Sequence, residues 1–141
     1  MTEERRRPVA GDFRFWSEDK VRFSDLDVLG HCNNVAVTRY FETARVEVLE
    51  AAGVRLTEGR LLPAVVRTTV TFHREMFYGA TVRIGTRITR FGRTSMVLES
   101  ALFDADNCAA DAEVVLVMLD GESHRPIPVP DDLRTRLEAV T

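Results

Sequence analysis

The sequence has few of the residues that mark secreted, membrane or disulfide-stabilised proteins. Only two of its 141 residues are cysteines, Cys32 and Cys108, and they match no disulfide or metal spacing. No apolar run approaches the roughly 20 residues of a membrane span, and no hydrophobic signal segment follows the N-terminal charges. These absences predict a protein of the reducing cytoplasm.

Charge of either sign is not concentrated along the chain. The formal net charge is −3, and the basic run at residues 5–7 stands beside two glutamates. This pattern predicts a disordered or frayed tail over residues 1–12, and it predicts neither a nucleic-acid nor a membrane partner. The hydrophobic content of 45% is enough for one domain over residues 13–141.

One amphipathic helix is predicted in the first half of the chain. Its apolar residues recur at three- and four-residue spacing: Val37, Tyr40, Phe41, Ala44, Val48 and Ala51. Asn33 or Asn34 can cap its start, and Gly53 can adopt the left-handed conformation at its end.

Alternating apolar residues predict β-strands elsewhere. One strand, or two half-strands, is expected within residues 13–23. Four more follow the helix, at about 62–75, 80–90, 94–104 and 109–120. The short turns between these four favour an antiparallel meander, and a short helix is expected after Pro130.

These elements predict an α+β fold in which a five-stranded antiparallel sheet curls around one long central helix. A single helix covers one face of the sheet, and therefore the second face and the edge strands would be exposed in a monomer. A symmetric homodimer would remove that exposure.

The loop before the helix carries the segment SDLDVLGHCNN, and RYFETARVE follows within the helix. With FHREMFYGATVRI, RITRFGRTS and PIPVPDDLRTRLE, in that order, these segments resemble the hotdog-fold acyl-CoA thioesterases of the 4-hydroxybenzoyl-CoA thioesterase type. The resemblance covers nearly the whole chain. It implies hydrolysis of acyl-CoA thioesters without a cofactor, by a homodimer that pairs further into a homotetramer.

By this resemblance Asp27 matches the catalytic aspartate of the family. It would act either as a nucleophile, through a mixed anhydride, or as a general base for water. Free N–H groups at a helix start can stabilise the oxyanion, and Gly30 and His31 are the candidates for that role. Asp25 is expected to be structural, accepting N–H bonds within the loop.

Two other kinds of chemistry are less well supported. Cys32 near a helix start could serve as a nucleophile, but small buried cysteines are common and the family usually has an apolar residue here, which favours packing. The three histidines, His31, His73 and His124, lack close ligand spacing, and no metal site is predicted.

Substrate contacts are also implied by the resemblance. The family's phosphate-binding basic residues fall on the FGRTS segment, which makes Arg93 the best match for a coenzyme A contact and Arg90 and Ser95 weaker ones. An exposed arginine explains Arg90 equally well. Asn34 and Val37, at the helix start, are the remaining candidates, although capping and core packing explain them too.

Two alternative functions share this fold. One is an acyl-carrier-protein thioesterase, and the other is a non-catalytic acyl-CoA-binding module, against which the presence of Asp27 argues. The Asp/His motif of the hotdog dehydratases is not found in the sequence.

Overall fold

The computed structural model describes residues 5–141, and within them the chain forms five β-strands and two α-helices. In chain order they are β1 (Phe15–Lys20), α1 (Asn34–Ala51), β2 (Leu61–Phe72), β3 (Thr81–Phe91), β4 (Ser95–Asp104), β5 (Asn107–Asp120) and α2 (Asp131–Val140). The predicted α+β class is confirmed. None of the helices in this range is both long and apolar enough to cross a membrane.

The five strands of the described chain form one antiparallel sheet in the order β1-β3-β4-β5-β2. Strands β3, β4 and β5 form a meander as predicted, but the prediction is wrong for β2, which pairs with β5 instead of β3. The place beside β3 belongs to β1. The connection from β2 to β3 therefore crosses the sheet near the start of α1, where Cys32 N–H donates to Met76 O over 2.8 Å.

Helix α1 lies on the inner face of the sheet, and its ends are those that the sequence predicts. Asn33 caps the start by accepting a hydrogen bond from Val35 N over 2.9 Å, and Gly53 follows the end with φ of +86°. The buried face is the predicted one, except that Ala51 is exposed and Leu49 is buried in its place. Tertiary packing, including α2 against the end of α1, decides this last turn.

The outer face of the sheet is less bare than the sequence suggests. Phe13 and Trp16 pack against Phe103 there, with ring centroids 6.4 and 5.7 Å from the Phe103 ring. Part of the predicted tail also makes contacts, since Arg6 forms an ion pair with Asp12 at 2.9 Å. Residues 1–4 of that tail lie outside the described range, and the domain boundary at residue 13 stays a prediction.

Candidate active site

The loop between β1 and α1 is held in place by the buried carboxylate of Asp25. Its Oδ2 accepts hydrogen bonds from Tyr40 Oη at 2.6 Å and from Arg22 N at 2.9 Å. Its backbone carbonyl accepts one from Asn33 N at 2.8 Å. Asp25 thus joins both ends of the loop to the first turns of α1, and the predicted structural role agrees with this geometry.

The Asp25–Tyr40 pair shifts the ionisation of both groups. Burial opposes the charge on Asp25, but the hydrogen bonds from Tyr40 and Arg22 outweigh it and hold the pKa of Asp25 below its ordinary 3.8. Burial, together with the hydrogen bond to Asp25, raises the pKa of Tyr40 far above its ordinary value. At neutral pH the pair is therefore a carboxylate that accepts a hydrogen bond from a neutral phenol.

Asp27 organises a tight turn within this loop. Its Oδ1 accepts hydrogen bonds from Leu29 N at 2.9 Å and from His31 N at 3.3 Å. Among residues 5–141, no group donates a hydrogen bond to the other oxygen, Oδ2. One carboxylate oxygen is thus held by the loop, and the second has no donor among these residues, on a residue that lines the cavity beside it.

The backbone donors at this site differ from those that the sequence suggests. Gly30 N donates to Asp27 O at 3.1 Å, and His31 N donates to Asp27 Oδ1, so both predicted oxyanion donors are already bonded. The helix begins at Asn34. Within the described chain the exposed Asn34 N–H has no acceptor, as expected for the first residue of a helix. Within this part of the chain Asn34 therefore offers a free N–H group beside the loop, whereas the turn uses those of Gly30 and His31.

A cavity of about 400 Å³ opens beside Asp27, within the usual range for a small-molecule site. Its walls come from the loop, from the start of α1 and from the segment after β2: Asp27, Leu29, His31, Cys32, Asn34, Val37, Phe72, His73, Arg74, Glu75, Met76 and Ala109. The structure therefore brings four of the predicted site residues, Asp27, His31, Asn34 and Val37, to one cavity.

The segment after β2 is the part of this wall that sequence reasoning did not assign to the site. Within it Glu75 lies 3.3 Å from His31, measured between Oε2 and Nε2, and Phe77 contacts the His31 ring edge-on. The segment FHREM is part of the family resemblance, but nothing in its spacing indicates a site. Its place depends on the crossing from β2 to β3.

Cys32 is buried against Tyr40, with 3.7 Å between sulfur and phenol oxygen. Burial raises the pKa of the Cys32 thiol, and the nearby Asp25 and Asp27 carboxylates add to that effect against the opposing contribution of its hydrogen bond with Tyr40. A thiol that is protonated at neutral pH is a poor nucleophile. This geometry agrees with the packing role predicted for Cys32.

The predicted coenzyme A contacts lie elsewhere. Arg90 and Arg93 are exposed, and Ser95 follows them where the β3–β4 turn packs against α2. The cavity lies at the other end of the sheet, near the start of β3, and an 11-residue strand such as β3 spans about 35 Å. Within one protomer the structure does not bring these three residues to Asp27.

Comparisons with known proteins identify the family of the chain. Residues 21–137 match the family described as the Thioesterase-like superfamily. The chain therefore belongs to the thioesterase-like superfamily, and its curled five-stranded sheet around one long helix is the hotdog fold. Membership supports thioester hydrolysis as the class of reaction. The narrower 4-hydroxybenzoyl-CoA thioesterase type stays a prediction.

Similar proteins cover nearly the whole chain. A crystal structure of a thioesterase from Thermus thermophilus, complexed with coenzyme A and Zn, is 34% identical with a TM-score of 0.82, covering 91% of this chain and 94% of that one. The PA5185 protein from Pseudomonas aeruginosa is 28% identical with a TM-score of 0.89, covering 96% and 97%. The uncharacterized protein YsmA of Bacillus subtilis is 25% identical, covering 89% and 86%.

Replacing Tyr40 by phenylalanine should destabilise the protein in a pH-dependent way. The change leaves the buried Asp25 carboxylate without its phenol donor, which should cost about 1–3 kcal/mol at neutral pH. Because the pKa of Asp25 is lowered in the folded state, its stabilisation is present above pH 3.8 and is lost as the pH falls through the folded pKa. The loss from Tyr40→Phe should therefore shrink near pH 3. Urea unfolding at both pH values measures it.

The chain offers a matched control, since its other tyrosine, Tyr78, is 65% exposed. Tyr78→Phe should change stability by less than about 0.5 kcal/mol at either pH. Equal losses from the two variants, or a Tyr40→Phe loss that does not depend on pH, would contradict the role assigned to Asp25.

Proposed function

We propose that the protein hydrolyses acyl-CoA thioesters to a free acid and coenzyme A, with Asp27 at the centre of the reaction. The observation that carries this proposal is that Asp27 and Asn34 line the same cavity, with no donor to Asp27 Oδ2 and no acceptor for Asn34 N–H among residues 5–141. A thioester carbonyl placed between them would meet a carboxylate on its carbon and a donor on its oxygen.

The reaction has two routes from this arrangement. Asp27 Oδ2 attacks the carbonyl carbon to give a mixed anhydride that water opens, or it removes a proton from a water that attacks instead. In both, negative charge develops on the carbonyl oxygen and the thiolate of coenzyme A leaves. Asn34 N–H replaces the predicted Gly30 and His31 as the backbone donor, and the dipole of α1 adds to its effect.

The acyl chain would lie along the groove between α1 and β2. Val37 of α1 and Phe72 of β2 line the cavity. Phe41, one helical turn after Val37, and Val70, two residues before Phe72, line a second cavity of about 200 Å³. A row of apolar residues next to a polar reaction centre suits an acyl thioester. The coenzyme A bound to the Thermus thermophilus thioesterase supports coenzyme A as the leaving group.

A second copy of the chain is part of the proposal. The outer edge of β2 is unpaired within residues 5–141, and its exposed residues include Val65, Val66 and Phe72. Apolar side chains on a free edge favour pairing with another strand. Because Arg93 lies about 35 Å from the start of β3, a coenzyme A phosphate held by Arg93 would belong to the site of another protomer. We propose a homodimer that forms a dimer of dimers in the cytoplasm, without nucleic-acid or membrane partners.

Asp27→Asn should lower kcat for acyl-CoA hydrolysis by at least about 100-fold while the fold is kept. The amide retains an oxygen that can accept the Leu29 and His31 N–H bonds, and therefore this change removes the charge without opening the turn. Thiol release from a panel of acyl-CoAs measures the rate, and circular dichroism checks the fold.

Cys32→Ser is the comparison, because this thiol contacts the same cavity. It should keep the rate within a few-fold of the parent. A loss as large as that of Asp27→Asn would indicate a cysteine nucleophile, and tight acyl-CoA binding without turnover by the parent would indicate a binding module.

Arg93→Ala should raise KM for acyl-CoA and change kcat little, because a contact to a remote phosphate contributes equally to binding of the substrate and the transition state. An acyl-N-acetylcysteamine thioester lacks the nucleotide, and the variant should match the parent on it. Equal losses on both substrates would place Arg93 in the fold instead of the binding site.

Two inactive chains should restore activity to each other if the site is shared between protomers. One chain carries Asp27→Asn and the other a change on the exposed face of β2, such as Thr69→Arg. A mixed dimer then contains one site with both halves intact. Mixing Asp27→Asn with Asp27→Ala is the control and should restore nothing. Subunit exchange confirmed by mass without a return of activity would contradict the shared site.

A further inference from the structure

Three side chains with metal-ligating atoms meet on the outer face of the sheet. They are His73, directly after β2, and Cys108 and Asp111 near the start of β5. Their ligand atoms all lie within 4.8 Å of one another. The group is largely removed from water, since Cys108 is 7% exposed and the side chains of His73 and Asp111 are 13% and 5% exposed.

Pairing of β2 with β5 brings His73 to Asp111. Thr71 lies directly opposite Asp111, and His73 follows two residues later on the same face. His73 N donates to Ala109 O over 2.8 Å, which continues the pairing beyond the end of β2. The result is a distance of 2.5 Å between His73 Nε2 and Asp111 Oδ2.

A bulge in β5 brings Cys108 to the same face. The register between β4 and β5 shifts next to Phe103, and the extra residue on β5 is Ala109. In a regular strand Cys108 and Asp111 would point to opposite faces, because they are three residues apart, and the bulge brings them to the same face. Cys108 packs there with Phe103 and Phe13 in the outer cluster.

One carboxylate oxygen of Asp111 lacks a hydrogen-bond donor within the described part of the chain. Its Oδ1 is buried and, among residues 5–141, accepts no hydrogen bond. The Arg5 guanidinium approaches it to 3.2 Å without hydrogen-bond geometry, from a side chain that is 48% exposed. A buried carboxylate oxygen without a donor is costly, and a cation beside it would offset that cost.

We propose that His73, Cys108 and Asp111 bind a divalent zinc-type metal ion, Zn²⁺ being the closest match. Nitrogen, thiolate sulfur and carboxylate oxygen together suit Zn²⁺, whereas Ca²⁺ and Mg²⁺ take oxygen ligands. Three protein ligands leave the fourth position to water. The site is independent of the proposed thioester chemistry and does not depend on it.

Binding needs small movements and releases one proton. Tetrahedral bonds of about 2.0–2.3 Å place ligand atoms about 3.5 Å apart, and the three atoms must therefore move by about an ångström. Cys108 binds as the thiolate, and its proton leaves to solvent. Asp111 turns from the His73 N–H toward the ion, and the proton of neutral His73 passes through solvent from Nε2 to Nδ1, so that Nε2 binds with its lone pair. The net release is therefore the single proton of Cys108.

The ion would act on the cavity wall. His73 begins the segment that crosses from β2 to β3, and this segment supplies Arg74, Glu75 and Met76 to the cavity beside Asp27. A metal ion between its first residue and β5 would hold the wall in place. The sequence spacing does not indicate this site, because its ligands come from strands that are adjacent in space and distant along the chain.

The test uses the full-length protein after removal of metal with a chelator. Titration with Zn²⁺ should give one equivalent per chain and a melting temperature that rises with the metal concentration. Co²⁺ should give a thiolate charge-transfer band. Cys108→Ser should abolish that band, and the matched control Cys32→Ser should keep it. His73→Ala should weaken Zn²⁺ binding by more than about tenfold, because losing even a residue that only hydrogen-bonds to a metal ligand lowers metal affinity by about that factor.

Each outcome decides the proposal. Absence of stoichiometric Zn²⁺ binding by the parent would overturn it, as would a Co²⁺ band that survives in Cys108→Ser. A band lost in Cys32→Ser would place the metal in the Asp27 cavity instead, which also overturns this site. If His73→Ala does not fold, Asp111→Asn replaces it, because the amide keeps the shape of the side chain.

Discussion

The hydrogen bond between Tyr40 and the buried carboxylate of Asp25 is the constraint on which the site depends. It joins the loop before α1, in which Phe23–Asp25 form a single 3-10 turn, to a helix that packs on the inner face of the sheet. A buried carboxylate needs hydrogen-bond donors, and Asp25 receives them from Arg22 N at the start of the loop and from Tyr40 in α1. These bonds also fix the position of the turn around Asp27, which begins two residues after Asp25.

The same attachment explains how the loop can present a reactive carboxylate. The turn uses its own N–H groups to hold one oxygen of Asp27, and the first free donor of α1 lies at Asn34. The loop therefore needs few other contacts, and its apolar residues Val28 and Leu29 remain exposed. Exposed apolar side chains beside a cavity are typical of a surface that a partner or substrate covers.

The end of the sheet where β2 meets β5 has two faces with different chemistry. Phe72 and Ala109 close the cavity on the inner face, and Cys108 and Asp111 lie on the outer face, while His73 at the end of β2 both lines the cavity and meets Asp111. The bulge at Ala109 interrupts the alternation of β5, so that Cys108 lies on the outer face while Ala109 and Ala110 both pack in the inner cluster. A movement of side chains on the outer face can therefore alter the cavity, because residues at the same ends of β2 and β5 contribute to both.

The sequence by itself determined the elements and the central motif of this protein. Apolar spacing located α1 with its Asn33 cap and Gly53 end, and local turn signals separated the strands, because these features depend on neighbours a few residues apart. The resemblance around Asp27 identified the family for the same reason, since its residues are contiguous. The tertiary structure alone decided that β2 lies beside β5, that the N–H groups of Gly30 and His31 bond to Asp27, and that His73 meets Asp111. Each of these depends on which strands pair and how a loop closes, and such long-range choices are set by competition among all the surfaces of the chain.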